Sequence, residues 1–119
     1  MWLKRLSVAS ALVVAITIPA AANDVVVWEI LDMACFISRG ERGRGPAHVG
    51  CAQACAKKGM PLGVITDQPQ VYLLYPEHGL EKTFDRVKEL AGQRAKLTGT
   101  VSEHDGMKGF EVHDVEAAD

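Results

Sequence analysis

The chain has 119 residues, with 13 basic and 15 acidic side chains and a formal net charge of −2. Its length allows one domain with a modest hydrophobic core. An acidic chain with only 6% aromatic residues is a poor candidate for non-specific nucleic-acid binding, so we expect no nucleic-acid partner.

The first 22 residues have the pattern of an export signal. Lys4 and Arg5 give a positive start, an apolar run follows over 6–18, and three alanines at 20–22 fit a cleavage site. We expect cleavage before Asn23 and a periplasmic or secreted protein; the alternative is an uncleaved N-terminal anchor. The run is shorter than the roughly 20 apolar residues of a membrane span, so no stable span is expected after cleavage. The mature chain keeps 11 basic and 15 acidic residues, a net charge of −4.

The mature sequence predicts five strands and two helices. β-branched and aromatic residues favour the strands, whereas alanine content and a 3.6-residue apolar period favour the helices. Strands are expected over 25–35, 61–67, 71–75, 95–103 and 107–115, and helices over 47–58 and 81–91. Asp105-Gly106 predicts a tight turn in the last hairpin. In the first strand, an extended chain would place Met33 and Cys35 on one face.

A segment rich in glycine and arginine, 38–46, separates the first strand from the first helix. It predicts a solvated connection rather than a packed element, with an anion-binding loop as the alternative. If 36–60 is treated as an insertion, the remaining order is three strands, a helix and two strands, the order of a small OB barrel. The predicted fold is therefore mainly β with two helices: a five-stranded OB-like barrel with a helical, cysteine-containing insertion after the first strand.

The chain resembles small exported bacterial OB-fold-like proteins that contain a Cys…His-x-x-Cys-x-x-x-Cys-x-x-x-Gly-x-Pro pattern. The residues that carry this pattern here are Cys35, His48, Cys51, Cys55, Gly59 and Pro61. The resemblance implies export and one OB-like domain over 23–119, after a cleaved signal peptide over 1–22. It carries over no activity, because this fold hosts many functions.

Three cysteines and a histidine within 21 residues indicate a metal-binding site. On a helix, Cys51 and Cys55 lie on one face with Cβ atoms about 5–6 Å apart, too far for an unstrained disulfide but suited to one metal ion. With Cys35 and His48 they would complete a four-coordinate site for zinc or for cuprous copper. Met33 and Met60, which most simply fill the core, would favour copper if they were ligands.

Two alternatives remain open at this stage. A disulfide from Cys35 to Cys51 or Cys55 would leave one thiol over. The domain would then be a stapled interaction module of the cell envelope, whose barrel face or 39–44 loop meets a partner protein or an acidic envelope polymer. A thiol redox protein would use Cys51 or Cys55 as its nucleophile, although the chain has no Cys-x-x-Cys motif. No nucleophile–base or phosphate-loop motif stands out, so we expect a non-catalytic binding protein.

Overall fold

The computed structural model describes residues 14–16 and 23–118. The predicted signal peptide, 1–22, lies outside the described residues except at 14–16, so its cleavage stays a prediction. In the described part of the chain, no helix is long and apolar enough to cross a bilayer.

The described chain contains five strands, three α-helices and two short 3₁₀ turns. The elements are β1 (Asp24–Asp32), α1 (Met33–Arg39), 3₁₀ turns at Gly40–Gly43 and Pro46–His48, α2 (Val49–Lys57), β2 (Leu62–Ile65), β3 (Val71–Pro76), α3 (Glu81–Glu89), β4 (Arg94–His104) and β5 (Met107–Ala117).

The strands form a closed barrel in the order β1-β2-β3-β5-β4, and β4 pairs with β1 to close it. The β3–β5 pair is parallel and the other neighbouring pairs are antiparallel. The predicted OB-like barrel, with a helical, cysteine-containing insertion after the first strand, is confirmed.

Alternating apolar side chains fill the barrel. The fully buried residues include Ile30, Val64, Leu97, Phe110 and Val115, each contributing about 1.5–3 kcal/mol of transfer free energy. Trp28 extends this core, because its ring stacks on Tyr72 at 5.6 Å and meets the Phe110 ring edge-on at 5.8 Å. No cysteine is among the buried core residues of the described chain.

The last hairpin turns where the Asp-Gly pair predicts it. Asp105 and Gly106 have φ values of 49° and 81°, the left-handed conformation that a two-residue type I′ turn requires. The first hairpin and the helix that follows it also match their predicted positions, within a few residues at each end.

The prediction for the end of the first strand is wrong. β1 stops at Asp32, and Met33–Arg39 is a third helix, so Met33 and Cys35 do not share a strand face. The physical reason is helix capping: the Asp32 carboxylate accepts hydrogen bonds from the backbone N–H groups of Ala34 and Cys35 at 3.0 and 3.2 Å. These bonds stabilise a turn of helix over continued extension.

The insertion leaves and rejoins the barrel at one place. The backbone N–H of Met33 donates to the carbonyl of Pro61 at 3.1 Å, which joins the start of α1 to the start of β2. At the end of α2, Gly59 takes a φ of 85° and Met60 N–H bonds back to the Cys55 carbonyl at 3.1 Å. This is the glycine stop that the sequence predicts.

Candidate metal centre

Four side chains of the insertion and its junction converge at one point. Asp32, Cys35, His48 and Cys51 each place a donor atom within 4.8 Å of the other three. The set offers two sulfurs, one imidazole nitrogen and one carboxylate oxygen, all of which are zinc ligands in proteins. This arrangement could hold a metal ion.

Each donor is placed by a different structural feature. Asp32 ends β1, Cys35 lies in the first turn of α1, and His48 ends the second 3₁₀ turn, immediately before α2. Cys51 follows in the first turn of α2. The cluster therefore joins the barrel to both helices of the insertion.

Helix α2 divides its surface between the core and the cluster. Ala52 and Ala56, four residues apart, are buried against the barrel, and Cys51 and Cys55 repeat at the same spacing on the adjacent face. The start of the helix approaches Gly92 so closely that a Cβ there would lie 2.9 Å from the Val49 Cα. The small residues let α2 pack tightly enough to bring its thiols to Asp32.

Two polar atoms in the cluster are buried without partners. Among residues 14–16 and 23–118, none hydrogen-bonds to Oδ2 of Asp32 or Nε2 of His48, and these two atoms lie 4.0 Å apart. That distance is too long for a hydrogen bond. Leaving such a group unsatisfied costs about 1–3 kcal/mol, so the fold bears a penalty here that a shared cation would remove.

The spacing fits a metal ion after a small contraction. Zinc binds oxygen and nitrogen at about 2.0–2.2 Å and sulfur at about 2.3 Å, which sets tetrahedral donor–donor distances of about 3.3–3.8 Å. The observed distances are 4.0 Å between Asp32 and His48 and at most 4.8 Å within the set. Side-chain adjustments of about 1 Å would therefore close the site.

The Asp32 carboxylate stays charged despite its burial. Desolvation would raise its pKa, but polar interactions with the Cys35 thiol, the Cys35 backbone N–H and the Cys55 thiol outweigh it, so the pKa lies below its usual value. Neither thiol reaches a full hydrogen-bond geometry with Oδ2. The cluster therefore contains a negatively charged oxygen that can coordinate a cation.

That carboxylate keeps its neighbouring thiols protonated. Interaction with Asp32, followed by desolvation, raises the pKa of Cys35 from 9.0 to about 11 and raises the pKa of Cys55 in the same direction. A metal ion would have to displace the proton of Cys35, since thiolates rather than thiols are metal ligands.

Three of the four predicted ligands, Cys35, His48 and Cys51, belong to the compact set, and Cys55 lies beside it. Cys55 interacts with both Asp32 and Cys51, but the set in which every donor lies within 4.8 Å of the others contains Asp32 in its place. The assignment of all four residues as ligands stays a prediction. All three cysteines carry free thiols here.

The two methionines, for which filling the core was the first expectation and a thioether ligand the alternative, differ in their burial and contacts. Met33 packs its sulfur over Gly63 of β2, where a Cβ would collide with it. It also lines an apolar pocket together with Ile37 and Met107. Met60 is 40% exposed just beyond α2. For Met33, the core-filling interpretation agrees with these contacts.

Sequence reasoning missed Asp32 as a donor. The strand expected over 25–35 runs through Asp32, yet an aspartate three residues before Cys35 is also a typical N-cap signal. That capping pattern would have predicted both the helix and the proximity of the carboxylate to the thiol.

Sequence reasoning also missed the ion pair that anchors the insertion. Arg44 makes a bidentate contact with Glu29 of β1, with Nε–Oε2 at 3.0 Å and Nη2–Oε1 at 3.1 Å. Glu29 is only 9% exposed. The arginine-rich segment is therefore tied down at Arg44, while Arg39 and Arg42 remain exposed.

A second group of potential donors lies on β5 and directly after β3. Nε2 of His113 is 3.0 Å from Oε1 of Glu111 and 3.8 Å from Oε2 of Glu77. The histidine already has carboxylate partners, and the group is partly exposed. It provides a natural control for metal-binding experiments.

Comparisons of the chain with protein-family models, with curated proteins and with solved structures gave no significant match.

Proposed function

We propose that this chain is an exported, non-catalytic protein that binds one metal ion at Asp32, Cys35, His48 and Cys51, and that the ion is zinc. The signal pattern at its N-terminus and its resemblance to exported OB-like proteins support the location. The four convergent donors support the binding. Four protein ligands leave no position for a substrate, as in structural zinc sites.

One observation carries the proposal: two buried polar atoms, Asp32 Oδ2 and His48 Nε2, face each other without partners beside two thiols. Native folds satisfy nearly all buried polar groups, so an unsatisfied pair in one place indicates a missing partner. A cation coordinated by both atoms and by the two sulfurs is a partner of the right chemistry.

The donor set favours zinc over copper. Cuprous copper prefers thiolates and thioethers, whereas zinc accepts sulfur, nitrogen and carboxylate oxygen together. Here the fourth donor is the Asp32 carboxylate, and Met33 packs against β2. Copper would be favoured only if Cys55 replaced Asp32 in the bound state.

Metal binding would clamp the insertion. α1 carries Cys35, α2 carries Cys51, and the barrel carries Asp32. An ion at their junction would hold both helices against the end of β1. The bound form would then present a rigid insertion to an envelope partner.

The test is to purify the protein from the exported fraction and to measure intact mass, free thiols and bound metal on one sample. Zinc titrations against a competing chelator then compare wild type with His48→Ala and Cys51→Ser. We expect one zinc per chain in the wild type and a loss of stoichiometric binding in both variants. His113→Gln, in the second donor group, is the matched control and should bind zinc as the wild type does.

The same measurements distinguish the competing functions. A disulfide with one free thiol and no metal would support the stapled module instead. If the protein contained one cuprous copper per chain and three reduced thiols, the metal site would be supported, but its ion would be copper rather than zinc. Undiminished zinc binding in His48→Ala, with loss in His113→Gln, would place the ion elsewhere and contradict the proposal.

A further inference from the structure

The cluster brings together thiols with different exposure. Cys51 is exposed on the first turn of α2, whereas Cys35 and Cys55 are partly buried. The Cys35 and Cys51 sulfurs lie within 4.8 Å of each other and belong to separate helices. A disulfide requires about 2.05 Å between sulfurs, so the two must approach by about 3 Å or less.

The connection between the two helices permits this approach. Gly40 and Gly45 have φ values of 59° and 87°, and a Cβ on either glycine would meet nothing within 4 Å. Because glycine has no Cβ to restrict φ and ψ, the backbone can adjust at these two positions while Arg44 stays anchored to Glu29. Cys51 and Cys55 have no such freedom, since they are joined by an unbroken helical turn whose Cβ atoms stand about 5–6 Å apart.

We propose that Cys51 and Cys35 form a thiol–disulfide exchange site for small disulfides, and that their oxidation releases the metal ion. This inference rests on the proposed function, because it concerns the regulation of the same site. Zinc itself has no redox chemistry, so the thiols are the part of the centre that responds to an oxidant.

The exchange has two steps. The Cys51 thiolate attacks one sulfur of oxidised glutathione, forms a mixed disulfide and expels one glutathione thiolate. The Cys35 thiol then loses its proton, and the resulting thiolate attacks the Cys51 sulfur, forms the Cys35–Cys51 bond and expels the second glutathione thiolate. The protein gives up two electrons and its two thiol protons, the small disulfide gains the electrons, and each glutathione thiolate takes up one of the protons.

Oxidation would dismantle the metal centre. Two of its four donors become disulfide sulfurs, which lack the negative charge of the thiolate ligand. Asp32 and His48 remain as donors, with Cys55 beside them, and they offer too few strong ligands to retain the ion. A dithiol reductant would reverse the bond and restore the site.

The test treats the reduced full chain with oxidised glutathione, with and without one equivalent of zinc. Released zinc is followed with a chromogenic chelator, and the disulfide is assigned by peptide mapping. We expect a Cys35–Cys51 bond in both samples, slower formation with zinc present, release of one zinc per chain, and rebinding after reduction. His113→Gln, outside the cluster, is the matched control and should behave as the wild type does.

Two further variants test the thiol chemistry in the metal-free protein, where the loss of a metal ligand cannot affect the result. Cys35→Ser should stop at a mixed disulfide on Cys51, and Cys51→Ser should react slowly or not at all. A Cys51–Cys55 bond, a wild type that stops at the mixed disulfide, or zinc retained after oxidation would overturn this inference alone. A reduced wild type that binds no zinc would overturn the proposed function and the switch together.

Discussion

Asp32 has two separable roles, as the N-cap of α1 and as a candidate metal ligand. Its Oδ1 accepts the backbone hydrogen bonds of the cap, while Oδ2 faces His48 without a partner. The two oxygens therefore serve different functions, and substitutions can distinguish them.

The first prediction compares Asp32→Asn with Asp32→Ala. Asparagine is a good N-cap, so Asp32→Asn should leave the urea unfolding free energy of the metal-free protein nearly unchanged, whereas Asp32→Ala should lower it by about 0.5–2 kcal/mol. Both should weaken zinc binding by at least the 10–100-fold that loss of an outer-shell partner costs. Wild-type zinc affinity in Asp32→Asn would remove Asp32 from the site.

Cys35 gives a prediction for pH. Interaction with Asp32 raises the pKa of its thiol from 9.0 to about 11, so zinc must displace a proton from it at neutral pH. Zinc affinity should rise with pH, by about tenfold per pH unit for each proton displaced. Competition titrations between pH 6.5 and 8 should show a smaller slope in Cys35→Ser and an unchanged slope in His113→Gln.

The raised pKa of Cys35 also makes the folding stability of the metal-free protein depend on pH. Because the folded state favours the protonated thiol, the associated stability is fully present below pH 9 and is lost as the pH rises towards about 11. Stability that increased over this range in the wild type relative to Cys35→Ser would contradict the assignment.

Gly43 controls the position of Cys35 through close packing. A Cβ built on Gly43 would collide with the Cys35 carbonyl oxygen, whereas one on Gly50, in α2, would meet nothing within 4 Å. Gly43→Ala should therefore destabilise the protein and weaken zinc binding together. Gly50→Ala should be neutral or stabilising by about 0.5–1 kcal/mol, as expected in a helix. If Gly43→Ala and Gly50→Ala gave the same unfolding free energy and the same zinc affinity, the close packing of Gly43 on Cys35 would not position the ligand.

At the scale of elements, an ion pair anchors the segment between the two helices of the insertion. Arg44 holds the segment between the helices to β1 through its bidentate contact with Glu29. Since Glu29 is nearly buried, removal of the guanidinium would leave a poorly solvated carboxylate.

We therefore expect Arg44→Ala to lower the unfolding free energy by about 1–3 kcal/mol. Arg42→Ala, an exposed neighbour in the same segment, should change it by less than about 0.5 kcal/mol. Urea denaturation measures both. In a Glu29→Gln background the cost of Arg44→Ala should shrink, because no charge is left unpaired; an undiminished cost would show that Arg44 acts through another contact.

At the scale of the whole molecule, the barrel core and the metal site lie in different places. The core of Ile30, Leu97 and Phe110 is buried inside the barrel, while the cluster lies at the junction with the insertion. Chelation should leave the far-UV circular dichroism of the barrel nearly unchanged and lower the midpoint of thermal unfolding.

The size of that shift follows from mass action. Zinc at 100 times its dissociation constant adds about 2.7 kcal/mol, and each 1 kcal/mol shifts the midpoint by about 4–8 °C for a domain of this size. A zinc-dependent rise of about 10–20 °C is therefore expected in the wild type and in His113→Gln. His48→Ala should show little or none, and a full rise there would exclude His48 as a ligand.

The barrel could be predicted because its signals are local. Runs of β-branched residues, the Asp105-Gly106 turn and the 3.6-residue period of α3 each specify their own element, and their order permits few topologies. The end of β1 could not be predicted as securely. An apolar run and an N-cap compete at Asp32, and only packing of the following helix decides between them.

The sequence by itself determined the order of the strands, the presence of a helical insertion and the spacing of the cysteines and the histidine within it, because periodicity, turn residues and spacing act within a few residues of chain. Only the tertiary structure decided which donors meet. In the folded protein, the Asp32 carboxylate of the barrel lies beside thiols from two helices, and Cys55 lies next to this set rather than within it. Glu29 pairs with Arg44. These contacts join residues distant in sequence, and their geometry depends on how α1 and α2 pack against the completed barrel.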